Sequence, residues 1–283
     1  MSPIVEGRVA VLGLGIIGSR AATRLLDAGW SVVVWNRTPK GLAYEVGSPQ
    51  AAVGDADLIS VYLKDGLAVR EIFQTLTTTL QPGQIILNHA TIDLETTHWL
   101  VKFCESRGCR FLDAPFTGSK VAAANGQLIY YLGGDPALAT ELDEYLAITS
   151  KARLHCGAVG AATVLKLATN LISACTAQAM AEALAIATHH GVTGERLAQA
   201  VAQNASGSAL TAMKFPLILA GNYEPHFSLA NMLKDSRYML ELVAASQLDT
   251  PAIAAVSQRM ASLCEKGLGD DDFSVLAKPY LEG

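Results

Sequence analysis

The chain has 283 residues, of which 51% are hydrophobic and 17% are charged, and its formal net charge is -5 at neutral pH. This length fits two domains that are each large enough to form their own core. The acidic balance argues against a nucleic-acid partner, because a polyanion would be repelled.

Cysteine and histidine usage argues against a disulfide framework and against a metal centre. The five cysteines are odd in number and form no C-x-x-C pair, which is typical of a reducing compartment, so we expect a cytoplasmic protein. The six histidines form no H-E-x-x-H motif. His189 and His190 are adjacent and therefore point to different sides of a helix. We expect no bound metal.

The first predicted strand, 9–12, runs into three glycines spaced G-x-G-x-x-G and then into a predicted helix over 19–29. In a dinucleotide-binding unit, Gly13 permits the tight turn, Gly15 lets a pyrophosphate approach the backbone, and Gly18 lets the helix pack closely on the strand. The helix N-terminus offers unpaired N–H groups and a positive dipole end to the phosphates. The predicted cofactor contacts in this turn are Gly13, Leu14, Gly15, Ile16, Ile17 and Gly18.

The end of the second predicted strand, 31–35, indicates which nicotinamide cofactor is bound. NAD-binding units usually carry a carboxylate here, about 20 residues beyond the glycines, which binds the ribose 2′-hydroxyl. This chain has the neutral Asn36 instead, followed by Arg37, which can pair with a 2′-phosphate, and Thr38, which can donate a hydroxyl. We therefore predict NADP(H), contacted by these three residues. The alternative is a solvated turn with a surface arginine.

Strands and helices continue to alternate up to residue 160. The predicted strands cover 57–62, 84–88, 110–113, 127–132 and 153–155, and the predicted helices cover 67–75, 96–106 and 136–148. Repeated units of this length predict an α/β domain with a Rossmann-type, doubly wound parallel sheet. The predicted cofactor contacts also include Tyr62 and Leu63, which lie at and directly after the end of one of these strands.

The segment 113–120 follows a predicted strand, at the edge where open parallel sheets bind ligands. The hydroxyls of Thr117 and Ser119, with the amide of Gly118, make a small cradle suited to a carboxylate. Thr91 occupies the corresponding position after an earlier strand. We predict that these four residues bind the substrate; a plain polar loop is the alternative.

No strand pattern remains beyond residue 160, so we predict a nucleotide-binding domain over 1–160 and an all-helical domain over 161–283. The predicted helices cover 161–190, 195–204, 210–219, 229–246 and 251–266. The first of them lacks charge between Lys166 and Glu182, but it is too rich in alanine and polar residues for a membrane span. We expect this helix to be buried on most sides and expect no membrane partner. Since so small a domain offers little cover, we also expect a homodimer or homotetramer.

One polar stripe interrupts the apolar surface of that first helix. Thr163, Lys166 and Asn170 follow one another at i, i+3 and i+7. A nicotinamide enzyme must supply a proton donor, and a lysine among apolar residues is partly desolvated, which makes it a better general acid or base. We predict that Lys166 is the catalytic residue and that Asn170 orients its ammonium group or the reacting hydroxyl. The alternative is a solvated lysine near a helix start.

Four motifs in the same order resemble the β-hydroxyacid dehydrogenase family, and together they run from near residue 7 to the C-terminus. They are G-x-G-x-x-G at 13–18, DAPFTGS at 113–119, G-x-x-G followed by K-x-x-x-N at 157–170, and FSL followed by KD at 227–235. The family includes 3-hydroxyisobutyrate dehydrogenases, tartronate semialdehyde reductases, and glyoxylate and succinic semialdehyde reductases. The segments 36–38, 118–120 and 268–274 are most similar to the last branch.

The resemblance implies roles for residues of this chain. It makes Lys166 the acid/base with Asn170 beside it, and it gives the substrate carboxylate to the position of Thr117, where the family usually has serine. It also implies that Thr91 lies beside the nicotinamide and the substrate, as a cofactor contact, and that Lys234 reaches the cofactor from the helical domain. Phe227 and Asp235 fall where the family closes the substrate pocket.

The implied function is NADPH-dependent reduction of small aldehyde acids, such as glyoxylate and succinic semialdehyde, to hydroxy acids. The first alternative is a dehydrogenase of the 3-hydroxyisobutyrate or tartronate semialdehyde type. Imine reductases resemble this chain but generally lack lysine at the position of Lys166. A third alternative is an NADP-binding module without turnover.

Overall fold

A computed structural model describes residues 7–281 of the chain. Its first part contains the strands β1 (Arg8–Leu12), β2 (Ser31–Trp35), β3 (Leu58–Val61), β4 (Ile85–Asn88), β5 (Arg110–Asp113), β6 (Phe116–Thr117), β7 (Leu128–Gly133) and β8 (Ser150–Gly157). The helices of this part are α1 (Gly18–Asp27), α2 (Pro49–Val53), α3 (Gly66–Thr75), α4 (Leu94–Glu105), α5 (Lys120–Ala124), α6 (Pro136–Glu141) and α7 (Asp143–Ala147).

The regular elements in the rest of the described chain are helices. They form α8 (Ala161–His189), α9 (Gly194–Ala202), α10 (Ala209–Leu219), α11 (Leu229–Ser246), α12 (Pro251–Leu263), a π-helical turn (Cys264–Leu268), a 3₁₀ helix (Phe273–Ala277) and α13 (Lys278–Leu281). The chain divides into two compact units inside α8, one up to Lys166 and one from Leu167. The first turns of α8 therefore belong to the strand-containing unit.

The strands form one sheet in the order β2-β1-β3-β4-β5-β7-β6, and β8 pairs with β7. Strands β1 to β5 pair in parallel, and the four apolar residues 9–12 of the central β1 are completely buried, as expected for a sheet covered on both faces. The predicted fold class is confirmed.

The parallel pairing does not continue past β5, which corrects the expectation of a wholly parallel sheet. Strand β7 runs antiparallel to β5 and β6, and β8 is parallel to β7. The connection from β5 to β7 contains the two-residue strand β6 and the five-residue helix α5, and it has no long helix to carry the chain across the sheet face to another parallel strand. The chain turns back instead, and this return shapes the loop that contains Thr117.

The helix predicted over 136–148 is two short helices, α6 and α7, which meet at Leu142. The strand predicted at 153–155 is the longer β8. Strand β6 and helices α2 and α5 were not predicted, because elements of two to five residues are too short to show a hydrophobic period.

Helix α8 is less covered than predicted. It is 29 residues long, and by length and composition alone it could cross a membrane, yet only 33% of the residues in its most apolar window are buried in the chain. The expectation of a helix buried on most sides is therefore wrong for the single chain. Val164, Ile172 and Ile186 are among its exposed residues. One face packs within the chain, and an apolar face remains uncovered because the short helices of the second unit do not surround it.

Candidate active site

The glycine turn between β1 and α1 has the geometry that close approach to a ligand requires. Gly13 has φ of 102°, and a side-chain carbon added there would lie 2.5 Å from the carbonyl oxygen of Tyr62. A carbon added at Gly18 would overlap the carbonyl oxygen of Gly13, whereas one added at Gly15 would meet no atom within 4 Å. The turn is therefore packed closely at Gly13 and Gly18 and open at Gly15, where the motif places the pyrophosphate.

The N-terminus of α1 is also suited to an anion. No side chain caps it, and its first turn contains no acidic residue. Unpaired backbone N–H groups at such a terminus bind phosphate well. The residues present thus fit the diphosphate of a dinucleotide.

Asn36 binds the protein rather than presenting a free amide to a ligand. Its Oδ1 accepts a hydrogen bond from the backbone N–H of Leu14 at 2.8 Å, and its Nδ2 donates to the carbonyl oxygen of Thr38 at 2.7 Å. The side chain therefore ties the glycine turn to the turn after β2. Arg37 is exposed, and its Nη2 donates to Oε2 of Glu71 at 3.3 Å. No sequence pattern indicated that Glu71 is the partner of Arg37.

Tyr62 and Leu63 lie directly against the glycine turn, as their predicted role requires. A carbon added at Gly13 would also lie 3.3 Å from the backbone nitrogen of Leu63. The hydroxyl of Tyr62 is 2.9 Å from that of Tyr130, which in turn is 2.9 Å from Oγ1 of Thr149. Burial raises the pKa of both tyrosines, so both phenols stay neutral.

His89 joins the two loops that contain the predicted substrate threonines. It follows β4, two residues before Thr91, and its Nδ1 lies 2.8 Å from the carbonyl oxygen of Ala114, three residues before Thr117. That oxygen can only accept, so Nδ1 carries the hydrogen and Nε2 is left to accept from Ser60 at 3.4 Å. The ring stacks on Tyr62 with centroids 4.5 Å apart. The neutral imidazole thus fits its surroundings.

This burial makes His89 sensitive to acid. Desolvation lowers its pKa from the ordinary 6.5 to about 4. A group whose pKa is depressed on folding stabilises the fold above its unfolded pKa and loses that contribution as the pH falls toward its folded pKa. Asp113 changes the stability in the opposite direction. Burial raises its pKa from 3.8 to about 6, so the folded state binds a proton more readily than the unfolded state and is stabilised as the pH falls. As the pH falls, the stability lost through His89 and the stability gained through Asp113 largely cancel in the unmodified protein.

His89→Asn keeps a donor toward Ala114 and does not titrate. We therefore expect its free energy of unfolding, relative to that of the wild type, to rise by about 3 kcal/mol when the pH is lowered from about 7 to about 4. The free energy of unfolding of Asp113→Asn, relative to that of the wild type, should fall by about 2 kcal/mol over the same pH change. Urea unfolding of the three proteins at both pH values measures this. A His89→Asn difference that is independent of pH would contradict the buried neutral imidazole.

The segment 117–119, predicted as a carboxylate cradle, covers the end of β6 and the residue before α5. Thr117 lies in β6, and Gly118 has φ of 144°, where an added carbon would lie 2.8 Å from the side chain of Leu128. The hydroxyl of Ser119 accepts a hydrogen bond from the backbone N–H of Ala122 at 3.2 Å and so caps α5. The hydroxyl keeps its own hydrogen to donate, so Thr117, Gly118 and Ser119 all stay candidates for contact with a substrate anion.

The start of α8 is fixed to the carboxyl end of β5. Oδ2 of Asp113 accepts from the backbone N–H of Thr163 at 3.0 Å and from its hydroxyl at 2.8 Å, and Thr97 lies 3.0 Å from the same hydroxyl. Lys166 follows one turn later and is only 8% exposed. The sequence places Thr163 and Lys166 on one stripe, and the structure adds that Thr163 anchors the stripe at the ligand-binding edge of the sheet.

In the second unit, three predicted site residues form one hydrogen-bonded group. Nδ2 of Asn170 donates to Oδ2 of Asp235 at 2.6 Å, and Nζ of Lys234 donates to Oδ1 of the same carboxylate at 2.7 Å. Asp235 is completely buried. Both of its oxygens therefore have protein partners, which favours a positioning role over direct contact with a substrate.

Asp272 accepts several buried hydrogen bonds, a role that was not predicted from the sequence. Its carboxylate accepts from Nζ of Lys214 at 2.6 Å and from the backbone N–H groups of His226 and Phe227 at 3.0 and 3.2 Å. Burial raises its pKa, but the hydrogen bonds from Lys214 and Ser274 outweigh burial and hold the pKa below its ordinary value. The carboxylate thus fixes the turn containing Phe227 that leads into α11. A single aspartate within the run 270–272 gave no sign of this role.

The comparisons with known proteins agree with this geometry. Residues 8–160 match the family profile of the NAD binding domain of 6-phosphogluconate dehydrogenase, and residues 160–280 match the profile described as NAD-binding of NADP-dependent 3-hydroxyisobutyrate dehydrogenase. The structure is similar to that of Mycobacterium tuberculosis 3-hydroxyisobutyrate dehydrogenase with L-serine, at a TM-score of 0.90 and 25% identity, covering 97% of this chain and 99% of that one.

Two curated relatives cover almost all of the chain. Glyoxylate/succinic semialdehyde reductase 2, chloroplastic, of Arabidopsis thaliana is 29% identical over 278 residues, covering 95% of this chain and 78% of that protein. Cytokine-like nuclear factor N-PAC of Mus musculus is 28% identical over 280 residues, covering 98% of this chain and 51% of that protein, so the chain spans about half the length of this second relative.

The two profiles together extend from residue 8 to residue 280, and the glycine turn has the packing that a dinucleotide requires. The predicted family is thereby confirmed. The chain is a nicotinamide-dependent oxidoreductase and a member of the β-hydroxyacid dehydrogenase family.

Proposed function

We propose that this chain is an NADPH-dependent reductase of small aldehyde acids, with glyoxylate and succinic semialdehyde as the leading substrates. The observation that carries the proposal is the buried Lys166, one helical turn from the contact between Thr163 and Asp113 at the carboxyl end of β5. The unit that contains this lysine also contains the glycine turn. The name of the Arabidopsis relative supports the choice of substrates.

In the proposed reaction, the residues of this chain hold the substrate and move one proton. A bound nicotinamide supplies the hydride that the aldehyde carbon accepts. Lys166 gives its proton to the carbonyl oxygen, so that hydride and proton together convert the aldehyde to an alcohol. Thr117 and Gly118 hold the substrate carboxylate through the hydroxyl and the backbone N–H. Asn170, one turn beyond Lys166 on α8, orients the reacting groups.

The proposed preference for NADPH depends on the turn after β2. The end of β2 carries the neutral Asn36 where NAD-binding units usually have a carboxylate, and the side chain of Arg37 is exposed. A guanidinium can bind phosphate through two parallel hydrogen bonds. The profile matched by residues 160–280 is that of an NADP-dependent enzyme, which supports the same choice.

A reductase screen tests the proposal. Glyoxylate, succinic semialdehyde, tartronate semialdehyde and methylmalonate semialdehyde are each assayed with NADPH and with NADH, alongside a cyclic imine. We expect the highest kcat/KM for one of the first two substrates with NADPH. A clear preference for either of the other aldehydes would favour the alternative dehydrogenase types, and reduction of the imine alone would refute the proposed chemistry. Cofactor binding without any oxidation of NADPH would point to a non-catalytic module.

We also propose that a second copy of the chain covers the apolar face of α8. Ile172 and Ile186 are each 64% exposed on this face, and no charged residue lies between Lys166 and Glu182. The uncharged stretch contains Ile172, whereas Ile186 lies one turn beyond the exposed Glu182; an uncharged apolar helix surface of this kind is typical of subunit contacts.

Sedimentation at micromolar concentration should therefore give a dimer or a larger assembly. We expect Ile172→Glu to shift the protein toward the monomer, because a carboxylate would be buried without a partner. Leu248→Glu is the matched control, since Leu248 is equally exposed at 63% but lies outside α8. A monomeric wild type, or an assembly that Ile172→Glu leaves intact, would contradict this arrangement.

A further inference from the structure

We propose that Glu71 is a selectivity residue for the cofactor: its carboxylate competes with the 2′-phosphate of NADP(H) for Arg37 and so reduces the preference for NADP(H) over NAD(H). The inference rests on the proposed function, because it takes Arg37 as the residue that receives the 2′-phosphate. The contact that suggests it is the 3.3 Å distance between Nη2 of Arg37 and Oε2 of Glu71. Glu71 lies in α3 and belongs to none of the four motifs.

The backbone around Arg37 is held on both sides, so the position of this pair is set by the fold. Asn36 precedes Arg37 and binds both the glycine turn and Thr38. Beyond Thr38, the carboxylate of Glu45 accepts hydrogen bonds from three successive backbone N–H groups. These are the N–H groups of Lys40 and Gly41, each at 2.8 Å, and of Leu42 at 3.3 Å.

Helix α3, which contains Glu71, is also fixed in position by its N-terminal cap and its buried residues. Asp65 caps its N-terminus by accepting from the backbone N–H of Ala68 at 2.8 Å. Val69 and Phe73, two residues to either side of Glu71, are completely buried in the same apolar cluster as Val33 of β2. Both members of the ion pair therefore extend from elements that share one core.

The chemistry of the ligand decides the direction of the effect. A phosphate monoester carries a charge of about −1.5 to −2 near neutral pH, and it binds a guanidinium more strongly than a single carboxylate oxygen does. The phosphate therefore displaces Glu71 from Arg37, but the carboxylate stays close by on α3 and repels it. The 2′-hydroxyl of NAD(H) is uncharged and meets no such repulsion. Glu71 thus acts against NADP(H) alone.

The side chains of Arg37 and Glu71 are 70% and 54% exposed, so the effect is moderate. Fluorescence titration with NADPH and NADH at low ionic strength measures it. We expect Glu71→Gln to bind NADPH about threefold to fivefold more tightly, the range that an exposed ion pair provides, with NADH affinity changed less than about twofold. The gain should shrink as ionic strength rises from about 0.01 M to about 1 M, because the screening length falls about tenfold.

Glu144→Gln is the matched control, since it removes the same charge from an exposed glutamate of the same unit in α7. It should leave both affinities unchanged. The inference is overturned if Glu71→Gln binds NADPH no more tightly than the wild type, or if it improves NADH binding equally.

A third variant separates failure of the inference from failure of the proposed cofactor. Arg37→Ala should weaken NADPH binding by about tenfold or more, the effect of losing a charged hydrogen bond, and leave NADH binding nearly unchanged. If Arg37→Ala acts in this way and Glu71→Gln has no effect, only the role of Glu71 is refuted. If Arg37→Ala leaves the ratio of the two affinities unchanged, the NADPH preference is refuted and the inference with it.

Discussion

Replacing Lys166 with alanine should lower turnover by at least about 100-fold, the lower range of what a positioned proton donor contributes. The variant has no group to protonate the carbonyl oxygen as hydride arrives at the neighbouring carbon. Cofactor affinity should stay within about twofold of the wild type, because the glycine turn and the turn after β2 are unaltered. Steady-state kinetics with glyoxylate and succinic semialdehyde, together with NADPH titration, measure both quantities.

Two further variants sharpen this test. Lys166→Arg keeps the charge but cannot release a proton near neutral pH, so it should lose nearly as much activity as Lys166→Ala. Lys151→Ala removes an exposed lysine of β8 in the same unit and should behave like the wild type. Near-normal turnover in Lys166→Ala, or full activity in Lys166→Arg, would refute the role of this residue as the acid/base.

Replacing Asp272 with leucine should reduce the free energy of unfolding by about 3–5 kcal/mol, the usual effect of breaking a buried ion pair. The ammonium group of Lys214 is 1% exposed and would be left in the core without its partner, and the backbone N–H groups of His226 and Phe227 would lose their acceptor. Urea unfolding followed by circular dichroism reports the loss, since the affected unit is helical.

A double variant distinguishes the buried charge from the lost backbone contacts. Lys214→Met with Asp272→Leu removes both charges and should be more stable than Asp272→Leu alone. Asp270→Ala, which changes an exposed aspartate of the same acidic run, should alter stability by less than about 0.5 kcal/mol. If the double variant were as unstable as Asp272→Leu, the ion pair would not be the source of the effect.

By fixing the turn at Phe227, Asp272 also positions the segment that leads into α11 of the second unit. The same segment pairs along its backbone with residues 271–273, through the N–H of Leu229 to the carbonyl oxygen of Asp271 at 2.8 Å and the N–H of Phe273 to that of Phe227 at 3.0 Å. Helix α11, which carries Lys234 and Asp235, begins directly after this turn. Loss of Asp272 therefore disturbs the start of the helix that holds the buried hydrogen-bonded group with Asn170.

Sequence alone was sufficient for the features that depend on local spacing. The three glycines predicted the turn between β1 and α1, and the structure gives each of them the packing that its place in the motif requires. Helix α11 covers the predicted 229–246, because an amphipathic run with a serine cap is visible in a single segment. The family followed from four such motifs in a fixed order.

Tertiary structure decided which of those residues are already occupied by protein partners. Ser119, predicted as a ligand donor, also caps α5, and Asp235, predicted as a pocket residue, also binds Asn170 across 65 positions of sequence. The partner of Arg37, Glu71, lies 34 positions away on another element. Such pairs leave no trace in local periodicity.

The sequence by itself determined the glycine turn, the neutral residue at the end of β2, the order of the longer strands and helices, and the family. Only the folded chain decided where parallel pairing ends, how much of α8 is covered, and which charged side chains meet in the core. The physical reason is the distance along the chain over which the interactions act. Backbone conformation and helical or strand periodicity are set by neighbours within a few residues. Buried hydrogen bonds and ion pairs instead depend on distances between segments that only the packed structure brings together.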